Sequence, residues 1–350
     1  AIFEEQDYIA YTFGAQADEV LSISMNATSG NLDTLLQLID PNGNLIAVNA
    51  QVLASNSGEM TNVLAIQGKV TAADAAIAKI EAYNNGDGTT PGALVIQDFT
   101  DVGISGISID NLAAVNLHIL NAAGGESDTV AEIQILVQTA NNAIAKIEAY
   151  NNGDGTSPSA LSIQDYVDAG ITGVSVDNLA AINAQVLSSD SGDTNSVTEI
   201  QSKVADGDAA IAKIEAYNNG DGVNPPALDV ADYSAAGVFG VDNDNLAAVN
   251  AQVLASNSGE TNTVAKIQVL VSGALGALDK IEGYNNGDGI TPAPLTLQDY
   301  IDAGIGGVSN ANLAAVNAQV LAAPAGGANT GPEVNALVSA ANTALAKVEA

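Results

Sequence analysis

The hexapeptide Tyr83-Asn84-Asn85-Gly86-Asp87-Gly88 returns letter for letter at Tyr150, Tyr217 and Tyr284, each time 67 residues further on. A fixed period of that size restricts the chain to a tandem array of one small folded unit. The surroundings repeat with it. Upstream, an apolar helical pattern ends in Lys-Ile-Glu-Ala/Gly-Tyr. Downstream, a proline leads into Leu-x-x-Gln-Asp-Tyr or a close variant. The period divides the chain into a β segment at 1–46, a partial repeat at 47–83, and repeats at 84–150, 151–217, 218–284 and 285–350.

In the first complete copy, Asp110 to Leu120 reads as a helix with Leu112, Val115 and Ile119 on one face and Ser108 or Asp110 as its N-cap. A polar link from Asn121 to Ser127 stops it. Val130, Ile133, Val137, Ala140, Ile144 and Ile147 then recur at alternating spacings of three and four. That spacing predicts roughly 30 Å of amphipathic helix, with a seam suited to coiled-coil-like packing on the shorter helices. Asn151-Asn152-Gly153 supplies the C-cap. After Pro158 a short helix begins at a capping box, Ser162 to Asp165, which Asp229–Asp232 and Thr296–Asp299 repeat and Val95 breaks. The expected fold is mainly α: tandem three-helix repeats behind a short N-terminal β segment. Near 67 residues a unit is close to the lower limit for a core of its own, so neighbours or an ion would help it.

Residues 1–46 differ. Tyr8, Ala10 and Thr12 alternate with Ile9, Tyr11 and Phe13. Leu21, Ile23 and Met25 share a face, and Asp40-Pro41-Asn42-Gly43-Asn44 is a turn. The motifs Asp7-Tyr8, Tyr11-Thr12-Phe13-Gly14-Ala15, Gly30-Asn31-Leu32-Asp33-Thr34-Leu35-Leu36 and Leu38-Ile39-Asp40-Pro41-Asn42-Gly43-Asn44-Leu45-Ile46-Ala47 resemble the first half of a bacterial pre-peptidase C-terminal domain. That resemblance implies a small β-sandwich appended to a secreted protein. The second half is missing, because Asn44-Leu45-Ile46-Ala47-Val48-Asn49 already matches Asn111-Leu112-Ala113-Ala114-Val115-Asn116. A half sandwich leaves open strand edges. Either a neighbouring subunit completes it by strand complementation, or it is a small sheet packed on the first helices. The chain begins at Ala1 without a signal-like segment and ends where a fifth Tyr-Asn-Asn-Gly-Asp-Gly would begin. The expectation is a processed chain or a fragment of a longer array.

The repeat's chemistry centres on Asn85-Gly86-Asp87-Gly88, which resembles the front of an EF-hand or dockerin calcium loop. On that template Asn85 and Asp87 take two ligand places, as do Asn152 and Asp154, Asn219 and Asp221, and Asn286 and Asp288. Calcium takes six to eight oxygens. The first ligand place holds Tyr83, Tyr150, Tyr217 or Tyr284, and no glutamate stands at the usual distance. The substitutes are Asp98, Asp165, Asp232 and Asp299, eleven residues after each loop aspartate. Other acids drift, Asp101 and Asp168 becoming Ala235, and Asp110 becoming Ala311, whereas these persist. Two readings stand side by side: tentative Ca2+ sites, or local turn and cap chemistry. The tyrosines continue the helical seam and read as core. Lys79, Lys146, Lys213, Lys280 and Lys347 suit the helix dipole or an ion pair between repeats. His118 stands where Gln51, Gln185, Gln252 and Gln319 stand in other copies and reads as a surface variant.

Charge narrows the function. Forty-one acids face eight bases for a net charge of −33, which repels phosphate backbones and anionic membrane surfaces. No apolar run approaches the ~20 residues of a bilayer span. With one histidine and no cysteine, neither a nucleophilic triad nor a histidine metal site can be assembled, so no enzyme is expected. The Gln-Asp-Tyr-x-x-Ala-Gly and Asn-Leu-Ala-Ala steps are similar to acidic helical repeats of very large bacterial surface and biofilm proteins. The resemblance implies an extracellular filament subunit or adhesin stalk that self-associates. The alternative is a multivalent module that binds a host protein or glycan.

Overall fold

The computed structural model describes residues 63–153, 158–220, 223–287 and 292–349. The β segment expected at 1–46, and the partial repeat as far as residue 62, lie outside the described residues. Among those described, the fold is mainly α, with thirteen helices. They are α1 Val63–Asn84, α2 Ile96–Asp101, α3 Leu112–Asn121, α4 Val130–Asn151, α5 Ile163–Asp168, α6 Leu179–Leu187, α7 Val197–Asn218, α8 Val230–Ala235, α9 Leu246–Ala255, α10 Val264–Asn285, α11 Leu297–Asp302, α12 Leu313–Ala322 and α13 Gly331–Glu349. Each copy therefore runs short helix, middle helix, long helix. No described helix is long and apolar enough to cross a membrane.

The expected seam is the buried stripe of α4. Ile133, Val137, Ala140 and Ile147 are fully buried, and Val130 and Ile144 nearly so. Apart from half-buried Val197, the same positions are buried in α7 and α10, ending at Tyr217 and Tyr284, so the tyrosines belong to the core. Midway along, the seam carries only small residues: Ala140, Gly207, Ala274 and Ala341. A Cβ on Gly207 would stand 3.1 Å from the Ile182 nitrogen, so α7 lies directly on the backbone of α6 at that point.

The chain divides into two units, Ala1–Gln138 and Thr139–Ala350. In the first, α1 packs on α2 and α3, with Ile80, Leu94, Phe99, Val115 and Ile119 buried. In the second, α7 packs on the preceding α6 and on the following α8 and α9. Likewise α10 packs on α9, α11 and α12. A single buried cluster runs from Ala181 to Ala341. α7 and α10 are thus each shared between their own copy and the next, and a copy in the second unit is not an independent globule. This is how so short a unit obtains a core.

Two expected helix ends differ. α3 begins at Leu112 with Asn111 at the N-cap. Asn111 is buried, its Oδ1 accepting from the Ser108 N–H at 2.8 Å and its Nδ2 donating to the Gly106 carbonyl at 2.7 Å. Ser108 and Asp110 shape the turn before it, the Asp110 N–H donating to the Ser108 hydroxyl at 3.1 Å. Nor are the glycines after the long helices left-handed caps. A Cβ on Gly86 would meet the Thr90 carbonyl at 2.8 Å, and one on Gly220 the Asn224 carbonyl at 2.6 Å. These glycines let the returning loop close against the helix end.

Candidate functional site

The repeated hexapeptide sits where each long helix ends against the short and middle helices of the following copy. Its first asparagine, which the calcium template leaves out, is the most deeply engaged. Asn84 is buried and its Nδ2 donates to the carbonyls of Ile119 at 2.7 Å and Ala122 at 2.8 Å. Those carbonyls lie at the C-terminal end of α3, where the helical ladder runs out; the Ile119 carbonyl also accepts from the Ala122 N–H at 3.2 Å. Asn151 does the same for Val186 and Ser189, Asn218 for Val253 and Ser256, and Asn285 for Val320 and Ala323. Asn218 Oδ1 also accepts from the Thr261 hydroxyl at 3.3 Å. That bond is made only in this copy among those described: Asn84, Asn151 and Asn285 Oδ1 are buried without a partner, Ser127 and Thr194 standing at the Thr261 position with their own hydroxyls unpaired, and Ala328 offering none.

The template residues come next. Asn85, Asn152, Asn219 and Asn286 are exposed; their N–H groups close the last helical turn, as Asn85 does onto the Glu81 carbonyl at 2.9 Å. Asp87 closes the loop on itself. Its Oδ1 accepts from the Thr89 N–H at 2.8 Å, the Thr90 N–H at 2.7 Å and the Thr89 hydroxyl at 2.7 Å. The Thr89 hydroxyl, then the two N–H groups, hold this exposed carboxyl down at about 2. Asp154, Asp221 and Asp288 lie outside the described residues.

The helix aspartates do different work. Asp98, Asp165, Asp232 and Asp299 each receive, on Oδ1, the ammonium of Lys79, Lys146, Lys213 or Lys280. Oδ2 accepts from the N-cap N–H: Val95 at 2.9 Å, Ser162 at 2.8 Å, Asp229 at 3.0 Å and Thr296 at 2.7 Å. Three capping boxes are therefore complete, and the Val95 one is halved. Asp98 reaches back, but valine has no acceptor to offer in return. Burial opposes ionisation of Asp165, yet Lys146 and the Ser162 N–H and hydroxyl outweigh it and keep the carboxyl below its ordinary value. Lys280 and Thr296 do the same for Asp299 against the same burial. The lysines are more than half exposed, so each pair contributes under about 1 kcal/mol of attraction. What the pair fixes is the register between one copy's long helix and the next copy's short one.

A second asparagine column lies beneath. Asn183 Nδ2 donates to the Leu161 carbonyl at 2.9 Å, and its Oδ1 accepts from the Tyr166 hydroxyl at 2.7 Å. Asn250 with Leu228 and Tyr233, and Asn317 with Leu295 and Tyr300, repeat the pattern. Burial pushes all three tyrosine hydroxyls far above their ordinary value, the Tyr150, Tyr217 and Tyr284 hydroxyls and the adjacent aspartates adding to it. The first copy has Phe99, and there Asn116 Oδ1 is buried without a partner.

The glutamine column at the middle helices is also structural. Gln185 Nε2 donates to the Ala235 carbonyl at 2.8 Å, and Gln252 Nε2 to the Asp302 carbonyl at 2.9 Å. These bonds cap the short helix of the following copy, so the column is more than the surface position expected from the sequence.

As a calcium centre, the described copy offers a poor fit. The Asp98 oxygens already hold Lys79 and the cap of α2, and Asp87 serves its own loop. Among the described residues, no three histidine, cysteine, aspartate or glutamate side chains stand together as a metal-binding group. One shallow cleft of about 270 Å³ is lined by Ser175, Asp177, Asn178, Asp208, Glu215 and Asn262 among others. The Asn178 amide there already donates to Asp208 at 2.8 Å.

No family model, curated protein or solved structure matches the chain.

What the arrangement does chemically is satisfy buried backbone groups at helix ends. Bonds at fixed offsets run forward from α1, α4, α7 and α10 to the short and middle helices that follow, and the lysine–aspartate pairs among them join two copies. The asparagine columns escape a reading from sequence because their partners are backbone carbonyls, which have no sequence signature. Their one visible mark is that Asn84 and Asn116 recur unchanged in every copy.

Proposed function

We propose that the chain is a structural repeat protein, an extracellular filament subunit or adhesin stalk. The observation that carries this reading is the sharing of α7 and α10 between adjacent copies, with Lys213–Asp232 and Gln185–Ala235 as ties across the first junction and Lys280–Asp299 and Gln252–Asp302 across the second. Ties of this kind make an array behave as one continuous body rather than as beads on a string. The acidic composition suits a surface that stays soluble in salt and away from anionic membranes. Self-association supplies the filament, with strand complementation by residues 1–46 as its proposed mode.

The multivalent binding reading needs the same exposed chemistry on every copy. The exposed apolar positions do not repeat: Ile109 and Val176 become Asn243 and Asn310. The structural reading is therefore preferred.

Sedimentation velocity at increasing concentration, together with negative-stain microscopy, tests it. Polymers or fibres are expected; a monomer at every concentration removes the filament and leaves the binding module. Thermal unfolding in EDTA and in millimolar calcium tests the ion. A ligand held only by the native state stabilises it by about 2.7 kcal/mol at a hundredfold excess over Kd. A raised midpoint, lost when Asp87 and its three counterparts become alanine, adds calcium to the array. Equal midpoints leave those aspartates with turn and cap work alone.

A further inference from the structure

The middle helices carry a docking seat that is filled twice in the second unit. On α6, Gly237 of the next copy sits so close that an added Cβ would stand 2.4 Å from the Ala180 carbonyl. On α9, Gly304 meets the Ala247 carbonyl at the same 2.4 Å. Both glycines have positive φ, 68° and 66°, as the turn after the short helix requires. Gln185 and Gln252 hold the last carbonyls of those short helices. Ala181 and Ala248, beneath, are 0% exposed.

The same seat exists on α12. Ala315, the counterpart of Ala181 and Ala248, is only half-buried there. Gln319 stands where Gln185 and Gln252 stand, and exposed Lys347 where Lys146, Lys213 and Lys280 meet their aspartates. Among the described residues no carbonyl meets the Gln319 amide, and no carboxylate meets Lys347.

We infer that this face binds the short helix of a further copy of the same 67-residue unit: a capping-box helix ending in a left-handed glycine. The occupant is specified by three features of the filled seats. Only glycine can approach the alanine carbonyl so closely, the glutamine needs a helix-ending carbonyl, and the lysine needs the aspartate of the box. The face continues the interface already made twice between copies, and its lone cation matches the box in charge. The inference rests on the array reading, but fibre formation by the native chain is measured separately, so failure of one is distinguishable from failure of the other.

The test extends the full chain by a second copy of its own residues 284–350 placed directly after Ala350, which restores the Glu-x-Tyr step in register. Hydrogen exchange in α12 and α13 is then compared with that of the unextended chain. Docking is expected to slow it by about tenfold or more, as neighbour packing does in repeat arrays. Two variants interrogate the seat. Alanine at the appended counterpart of Gly304 should abolish the slowing. Gln319→Ala with Lys347→Met, which leaves the appended copy untouched, should remove most of it. Unchanged exchange in α12 and α13 beside a protected appended copy overturns the inference, and so does slowing that survives both variants. An appended copy that stays unprotected overturns it equally, because a working seat would supply the partner for its first helix.

Discussion

The node built on Leu94, Phe99 and Asn116 and the node built on Leu161, Tyr166 and Asn183 have the same backbone design and differ by two side chains. At the second, Tyr166 donates to Asn183 and Ser162 completes its capping box. At the first, Phe99 leaves Asn116 Oδ1 buried and unpaired, and Val95 leaves the box half made. The chain thus contains its own mutant. The comparison teaches that the asparagine's amide-to-carbonyl bond and the aspartate's backward reach survive the loss of their reciprocal halves. Geometry at the node is set by packing, and the polar groups add stability on top of it.

The largest effect should come from breaking the better node. Asn183→Ala leaves both the Leu161 carbonyl and the Tyr166 hydroxyl buried without partners, at about 1–3 kcal/mol for each orphaned group. Asn116→Ala orphans only the Leu94 carbonyl and should cost about half as much. Hydrogen exchange read locally is the right measurement, since long arrays need not unfold in one step. Equal costs at the two nodes would mean that the tyrosine bond contributes nothing.

Next in size are the reciprocal exchanges. Tyr166→Phe should destabilise its node by about 1–2 kcal/mol by leaving Asn183 Oδ1 bare, and Phe99→Tyr should stabilise the first by about 1 kcal/mol. The hydroxyl has a waiting acceptor, so protection around α2 should rise without any change in α-helical circular dichroism. Smaller again is Val95→Ser, which supplies the missing cap acceptor and should add about 0.5–1 kcal/mol. A neutral result would show that the backbone bond from the Asp98 N–H to the Val95 carbonyl, 2.9 Å, already satisfies that end.

The smallest effects are those of pH. Asp165 and Asp299 ionise in the fold below their ordinary value. Their contribution is therefore complete above the unfolded carboxylate value near ~4 and is lost as pH falls through the lower folded one. At the alkaline end the sign reverses in cause but not in outcome. The hydroxyls of Tyr166, Tyr233 and Tyr300 resist ionisation in the fold, so stability falls once pH rises past the ~10 at which an unfolded tyrosine ionises. Unfolding followed by tyrosine absorbance should show the Phe99 node losing less than the others above that point.

Much of the architecture was legible in residues alone, where the interaction is local in sequence. The seam from Val130 to Ile147 is read from its spacing, and the boxes at Ser162, Asp229 and Thr296 from a three-residue offset. Lys146 and Asp165 are nineteen apart, and the sequence leaves the lysine between the helix dipole and an ion pair with no named partner; the structure supplies Asp165. The columns of Asn84, Asn116 and Gln185 carry no such local signal, because they bond to carbonyls 22 to 50 residues away. The Asn-Gly-Asp likeness to a calcium loop falls on Asn85 and Asp87. The neighbouring Asn84, on the buried side of the same helix end, holds more of the structure.

The fixed offsets also govern how such a chain can change in length. The bonds from Lys79 and Gln185 to their partners each cross from one copy into the next at a constant offset, and that from Asn84 ties the end of a long helix to the middle helix after it at another. An exchange between two copies at matching positions removes or adds one whole period, and every helix end still finds its partner. An insertion or deletion of any other size within a crossing segment moves a donor off its carbonyl or a glycine off its alanine. The array can therefore lengthen or shorten in steps of one period, through recombination between its own copies, while its interior joints keep their geometry.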